Sequence, residues 1–313
     1  MAALIATQAR SVDKWSTKFR AAAPERTFHI FGEDAFDPAD IRYVIAWNPP
    51  GEAFAGLPNL EVVFNLGAGV DGILKSPSLP DVPVVRLVED DMTERMAEWV
   101  TLQVLLHHRQ TLQYLEQQRR GEWRERPQPI ASDVRVGMMG YGVLAQHAAK
   151  ILSSLGFSIH AWSRSDKAAD VPLYAGKDNL AAFLGVTDIL VALIPLTAET
   201  TGILDAELIA GLAQDGALGG PILVNAGRGG LQTEADILAA LKDGTLKGAS
   251  LDVFNTEPLP KDDPIWSAPN LVITPHVAAI SEVNATAAYV LGQIEAFERG
   301  EALRNVVERG RGY

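Results

Sequence analysis

Cysteine is absent from the 313 residues, which excludes disulfides, thiolate nucleophiles and cysteine-ligated metals. Also missing is any apolar run of about eighteen residues, so no membrane-spanning helix and no membrane partner are expected. The opening stretch, MAALIATQARSVDKW, lacks a basic segment followed by a long apolar run and a small-residue cleavage site. Export is therefore not expected, and the reading is of a cytoplasmic protein. Positive charge is in deficit, with 27 Lys and Arg against 39 Asp and Glu, a formal charge of −12. Such a surface repels a polyphosphate, so nucleic acid is not an expected partner. A small anion would need locally placed arginines. No short-period repeat and no low-complexity tract interrupts the chain.

What is present suits two domains: 47% of residues are hydrophobic, enough for substantial cores. Short β-like runs alternate with helical patterns, the signature of parallel sheets with crossover helices. ALIA (3–6), TFHIF (27–31), YVIAW (43–47), VVFNLG (62–67) and VPVVRL (82–87) read as a first strand series. One long helix is predicted from Met92 to Arg120. Asp91 and Glu94 are spaced as a capping box at its start, and Met96, Val100 and Val104 recur on one face. His107 and His108 on this helix are expected at an interface or the surface. A polar connector, Gly121 to Asp133, follows; the basic stretch leading into it, Gln118 to Arg126, has four arginines interrupted by Glu122, Trp123 and Glu125 and reads as solvated. The second series is VRVGMMG (134–140), FSIHAW (157–162), DILVALI (188–194), PILVNA (221–226), GASLDVF (248–254) and LVIT (271–274), closed by a helix over 281–299. Near-continuous apolar runs of this kind suit strands covered on both faces.

Directly after VRVGMM comes Gly140-Tyr141-Gly142-Val143-Leu144-Ala145, a G-x-G-x-x-A followed by the helical AQHAAKILSSLG. Gly140 permits the tight turn, Gly142 lets backbone N–H groups approach a pyrophosphate, and a small third residue lets helix and strand pack closely. The N-terminus of the following helix adds its dipole and free N–H donors. Where an NAD enzyme usually carries an acid for the ribose hydroxyls, this chain has Trp162-Ser163-Arg164-Ser165. A carboxylate there would repel a 2′-phosphate, whereas a hydroxyl followed by a guanidinium accepts it, so NADP(H) is the expected cofactor. The alternative is that Arg164 is merely solvated and Asp166 takes the ribose, which would admit NAD(H).

Three further segments hold what hydride transfer to a carbonyl requires. VNAGRGG (224–230) places Arg228 just past a strand end, where a planar guanidinium can grip a carboxylate and polarise the neighbouring carbonyl. A lone arginine is ordinarily structural, paired with some nearby acid. LDVFNTEPLP (251–260) sets Glu257 before Pro258, and ITPHVAA (273–279) sets His276 after a strand and a proline. An imidazolium can supply the proton that accompanies the hydride. A carboxylate beside it would hold the ring and favour its charged form. A single histidine at a strand end is usually just packed, but Arg, Glu and His at successive strand ends favour the catalytic reading. The other histidines, His29, His107, His108, His147 and His160, have no partners spaced for a metal, and none is expected.

Taken in order, G-x-G-x-x-A, NAGRGG, LDVFNTEPLP and TPHVAA resemble the D-isomer-specific 2-hydroxyacid dehydrogenase family over essentially the whole chain. The branch resembled most closely is glyoxylate/hydroxypyruvate reductase A, through AWNPP (46–50), LGAGVD (66–71), GYGVLA (140–145), WSRS (162–165), FNTEPLP (254–260) and the terminal RGY. The resemblance implies reduction of a small 2-oxo acid, with Arg228 binding carboxylate and carbonyl, His276 as acid/base and Glu257 as its partner. It also implies that Pro195, Ala226, Gly227 and Asp252 lie with the cofactor, that Ala68 and Gly69 hold the substrate carboxylate, and that Trp47 lines the pocket. By residue reading alone, the Ala68–Gly69 loop could be a plain connector and Trp47 core. A homodimer built on the long helix is likewise implied.

The expected architecture is α/β with two doubly wound parallel sheets. A Rossmann cofactor domain spans 99–282, and a smaller flavodoxin-like substrate domain is built from 1–98 plus 283–313. Departures from the family pattern are Ala145 at the third glycine, Gly227 where Ala is usual, and Leu231-Gln232-Thr233-Glu234 in place of V-D-E. Two rivals stand beside this reading. One is a related dehydrogenase acting on D-lactate, 3-phosphoglycerate or formate, although no regulatory domain is expected after the last helix. The other is a cofactor-sensing binding protein, such as the corepressors that share this fold.

Overall fold

The computed structural model describes residues 2–7 and 9–312. They divide at Met92/Thr93 and Ile280/Ser281 into two units, each with its own sheet. The first unit opens with β1 (Ala2–Thr7), α1 (Ala9–Ala22), β2 (Thr27–Ile30), β3 (Ile41–Trp47), β4 (Val62–Asn65), the short α2 (Asp71–Leu74) and β5 (Val84–Val85). Its strand order is β2-β1-β3-β4-β5, every pair parallel. Alternate residues of β1 serve opposite faces: Ala3 and Ile5 pack with Trp15 and Phe19 of α1, whereas Leu4 and Ala6 pack with Val44, Phe54 and Ile73. The run predicted as a strand over 82–87 forms a ladder only at Val84 and Val85. Pro83 has no N–H to give, and Arg86 donates to the Asn305 carbonyl instead.

Downstream come α3 (Asp90–His108), α4 (Thr111–Arg119), β6 (Arg135–Met139), α5 (Val143–Ser154), β7 (Ser158–Ser163), β8 (Leu173–Ala175), α6 (Leu180–Leu184) and β9 (Ile189–Ala192). After them lie α7 (Ala206–Ala210), β10 (Ile222–Asn225), α8 (Glu234–Asp243), β11 (Gly248–Leu251) and β12 (Leu271–Ile273). The last helix, α9 (Val283–Glu298), belongs to the first unit, where Val290 and Ile294 join the α1 side of the core. In the second unit the seven strands run β12-β11-β10-β9-β6-β7-β8, all parallel. One face of this sheet (Val136, Met138, Val191, Val224) buries Val100 and Val104 of α3 with Ala148 and Leu152 of α5. The other (Met139, Leu190, Leu223, Leu251) buries Phe183, Leu208, Ile209 and Ile237 of the remaining helices. Growth outward from β6 reverses at β9, so the crevice beyond the ends of β6 and β9 is the switch point where such sheets bind ligands.

The helix expected over 92–120 is two helices. Gln110 adopts a left-handed φ of +53° between α3 and α4. Its side chain explains the break, since it donates to the Pro127 carbonyl and accepts from Arg126 Nε at 2.8 Å, drawing the connector back onto α4. Gln117 Nε2 reaches the Arg124 carbonyl at 2.9 Å and makes a second tie. Asp91, the expected capping residue, lies inside α3, which begins at Asp90. Glu89 accepts the Met92 N–H at 2.9 Å, and Glu94 lies 3.0 Å from His147 Nε2. His107 and His108, expected at an interface or the surface, are both 5% exposed within the chain itself. His107 Nε2 contacts Ser250 Oγ at 2.9 Å, and that hydroxyl donates to Gln103 at 2.9 Å, so α3 is pinned to β11 by buried polar groups. The pattern also left out β8, an edge strand of three half-buried residues. No helix of the described residues is long and apolar enough to cross a membrane.

Candidate active site

The glycine turn leaves β6 at its C-terminal end. Gly140 has φ +93°, and a Cβ there would sit 2.9 Å from Ile194 and 3.0 Å from the Leu193 carbonyl, so only glycine fits against the segment that follows β9. Gly142 caps α5 without a side-chain bond, and a Cβ on it would meet nothing within 4 Å. The donors at the start of α5 therefore face open space on a backbone surface. Val143 at this end is 51% exposed, while Ala145 is buried where helix meets strand. A dinucleotide pyrophosphate fits these donors, with the helix dipole aligned to favour it. Tyr141 is buried, and its hydroxyl donates to Asp170; burial first, then that bond, raises its pKa above the usual phenol value.

At the end of β7, Ser163 is 8% exposed and donates its hydroxyl to the Ser165 carbonyl at 2.6 Å. The outward positions of this turn are Arg164 and Ser165. Arg164 Nη1 stands 3.6 Å from Glu199, with its own side chain 41% exposed. The sequence reading passed over Lys167, whose ammonium donates to the Tyr141 carbonyl at 2.6 Å and lies over the Tyr141 ring. Desolvation there lowers its pKa. It adds positive charge beside the glycine turn, and its signal was only one more cation in the segment after β7. Pro195, half-buried after β9, has its carbonyl held by Thr200 Oγ1 at 2.7 Å.

Glu257 and His276 meet as expected. His276 Nδ1 lies 2.8 Å from Glu257 Oε2, while Glu257 Oε1 accepts the Phe254 N–H at 3.0 Å. A carboxylate only accepts, so Nδ1 carries the hydrogen and Nε2 is left to face outward. Burial pushes the Glu257 carboxyl up. The bonds from His276 and Phe254, with the charges of His276 and Arg228, outweigh burial and hold it below the ordinary carboxylate range. Arg228, half-exposed just beyond β10, folds its Nη1 onto the Gly227 carbonyl at 2.8 Å. A Cβ at Gly227 would sit 2.9 Å from Leu231 and 3.0 Å from the Ile194 carbonyl, which accounts for glycine where alanine is usual.

His276 holds a left-handed φ of +54°, unfavourable for a residue with a Cβ. Asp252, just past β11 and 1% exposed, imposes it. Its backbone carbonyl accepts the His276 N–H at 2.8 Å, and its carboxylate accepts Thr274 Oγ1 at 2.5 Å and the Val277 and Ala278 N–H groups at 2.9 Å each. Asp252 therefore serves as the clamp of the histidine loop, a role its position in the motif did not disclose. Ala226, 7% exposed, continues β10 toward Arg228.

In the first unit, the buried Asn65 donates to the Gly67 carbonyl at 2.7 Å and the Gly69 carbonyl at 2.9 Å. This draws two carbonyls inward and leaves Ala68 and Gly69 half-exposed at the bend. Trp47 ends β3 as a partly buried rim of the core, its ring filling the space a side chain at Gly67 would need.

Residues 101–278 match the model of the D-isomer specific 2-hydroxyacid dehydrogenase NAD binding domain. Glyoxylate/hydroxypyruvate reductase A of Escherichia fergusonii is 40% identical over 306 residues, covering 96% of each chain. Among solved structures, an NADPH-dependent glyoxylate/hydroxypyruvate reductase from Sinorhizobium meliloti, in complex with NADP and sulfate, is 44% identical. It covers 100% of this chain and 99% of its own, with a TM-score of 0.92. A probable 2-hydroxyacid dehydrogenase from Rhizobium etli, in complex with NADP, is 43% identical with TM-score 0.93 over 100% of this chain and 99% of that one. With more than half its length matched by the family model and its relatives covered nearly end to end, the chain belongs to the D-isomer specific 2-hydroxyacid dehydrogenase family.

Proposed function

We propose that this chain catalyses NADPH-dependent reduction of small 2-oxo acids, glyoxylate and hydroxypyruvate among them, to the 2-hydroxy acids. The observation that carries the proposal is the His276–Glu257 contact at 2.8 Å beside the charge of Arg228. Full-length similarity to reductases of that description supports it.

Bound nicotinamide supplies the hydride. Arg228 binds the substrate carboxylate and stabilises the charge that develops on the carbonyl oxygen as the carbon accepts hydride. Nε2 of His276 gives that oxygen its proton, while Glu257 keeps the ring oriented through Nδ1. Asp252 holds the loop in which the imidazole is presented. The turn at Gly140, Tyr141, Gly142, Val143 and Leu144 takes the pyrophosphate. Arg164 and Ser165 at the end of β7 take the 2′-phosphate, with NADH a poorer substitute. Pro195, Ala226 and Gly227 line the cofactor side, and Ala68, Gly69 and Trp47 are assigned to the substrate from the resemblance. We place the reaction in the cytoplasm, where NADPH is available. The subunits pair as a homodimer, which the exposed Leu102, Leu115, Trp123 and Ile130 in one stretch of the second unit support.

The test is NADPH oxidation against a panel of 2-oxo acids, repeated with NADH and with His276→Ala. Glyoxylate and hydroxypyruvate should turn over. The variant should lose at least a hundredfold in kcat with NADPH binding changed less than about threefold, in keeping with the usual worth of general acid catalysis. Nucleotide binding without turnover of any acid would point to a sensor, and turnover surviving in His276→Ala would remove the assigned proton donor.

A further inference from the structure

One buried amide links the two loops that carry the reactive groups. Gln232, 3% exposed, stands just beyond the short turn that follows Arg228. Its Oε1 accepts Asn225 Nδ2 at 2.9 Å, and its Nε2 donates to the Val253 carbonyl at 2.9 Å and faces Glu234 Oε1 at 3.4 Å. Acceptors lie on one side and a donor on the other, so the amide has one orientation. Asn225 spends its remaining capacity shaping the arginine loop, accepting the Gly227 N–H at 3.0 Å and donating to the Arg228 carbonyl at 3.2 Å.

Val253 opens the segment in which Phe254 N–H holds Glu257. The Gln232 carbonyl accepts Asn255 Nδ2 at 3.2 Å, and Glu234 takes the Asn255 N–H at 2.8 Å. Between these ties the two loops touch backbone to backbone, since a Cβ on Gly229 would come within 2.0 Å of the Phe254 carbonyl group. With no side chains interleaved there, polar bonds set the spacing, and a buried bond lacking its partner is costly.

We propose that Gln232 is a positioning residue, which fixes the Arg228 loop against the Glu257 segment and so sets guanidinium and carboxylate–imidazole pair at their working separation. The role of those groups rests on the function proposed above; the geometric tie does not. A glutamine at this place answers the departure from the V-D-E pattern, because an aliphatic or a shorter side chain could not bridge Asn225 to Val253. Of the ionisable groups, Glu234 faces the amide directly, while Arg228, Glu257 and His276 sit on the segments it joins.

Two substitutions in the full-length protein test this. Gln232→Leu should lower kcat for glyoxylate at least tenfold, with the dissociation constant for NADPH within about twofold of the parent and the melting curve still cooperative. Gln232→Glu can mimic the amide only while protonated. Beside Glu234 and a carbonyl its ionisation is opposed by charge and burial. Its kcat should approach the parent at low pH and fall with one additional ionisation as the pH rises. Amide hydrogen exchange supplies the readout that needs no turnover: in Gln232→Leu the Gly227, Phe254 and Asn255 N–H groups should exchange at least tenfold faster, with β6 and β9 unchanged. Parental kcat and exchange in Gln232→Leu would overturn the inference, as would loosening spread evenly through the unit or a Gln232→Glu profile parallel to the parent's. Faster local exchange in a protein that reduces no 2-oxo acid would instead overturn the proposed function and leave the tie standing.

Discussion

A guanidinium discriminates between cofactors only if a phosphate can reach it. Arg164 is partly exposed, its side chain at 41%, and its contact to the more exposed Glu199 is 3.6 Å long. Exposed pairs of this sort contribute about 0–1 kcal/mol and yield readily to a dianion. Ser163 is committed inside the turn through its bond to Ser165, so under the proposed function the phosphate is assigned to Arg164 and Ser165, with Lys167 nearby. Arg164→Ala should raise KM for NADPH about tenfold or more and KM for NADH less than about twofold, and the NADPH effect should shrink at high salt. Equal effects on the two nucleotides would assign the 2′-phosphate elsewhere.

Two interior histidines make the second unit sensitive to acid through the elements they join. His107 pins α3 to β11 through Ser250, and His160 of β7 contacts Thr187 at 2.8 Å. Burial lowers both from 6.5 to about 4, with the Arg135 charge as a further cause for His160. Unfolded, each ring takes a proton below about 6.5; folded, only below about 4. Between these values the unfolded chain binds more protons, so stability falls as the pH falls. The slope is up to about 1.4 kcal/mol per pH unit for each ring. Urea midpoints measured across that window should show the decline, and His107→Gln with His160→Gln should flatten it. An unchanged slope would mean that other groups carry the acid response. Asp188, 1% exposed and gripped by Arg135 through bonds of 2.6 and 3.0 Å, joins β6 to β9 in the same unit.

A chain with this net charge gains little from exposing large apolar side chains to water, yet Trp123 is 98% exposed and Leu102, Leu115 and Ile130 accompany it along α3, α4 and the connector. The connector is held in shape by Gln110 and Gln117, so Trp123 stands on a tethered segment. If these side chains meet a second copy, sedimentation should give a dimer, and Trp123→Glu with Leu115→Glu should shift it to monomer at micromolar concentration with the circular dichroism unchanged. A dimer that survives both substitutions would place the interface on another surface.

Local chemistry was enough for much of this protein. Strands buried on both faces must be apolar, so β6, β9 and β10 were visible as runs; a turn against Leu193 needs glycine, so Gly140 was visible as a motif. The trio Arg228, Glu257 and His276 could be listed because each follows a strand end and each has the chemistry the reaction needs. Only packing decided what depends on partners distant in the chain. The break at Gln110 is made by Arg126 and Pro127, the burial of His107 by Ser250, the posture of His276 by Asp252, and the spacing of the reactive loops by Gln232. Spacing along a sequence records what a residue is and which way its own element turns it. Hydrogen bonds that span from 16 to 143 residues leave no period to read, because their two ends are brought together by the packing of separate elements and by nothing in between.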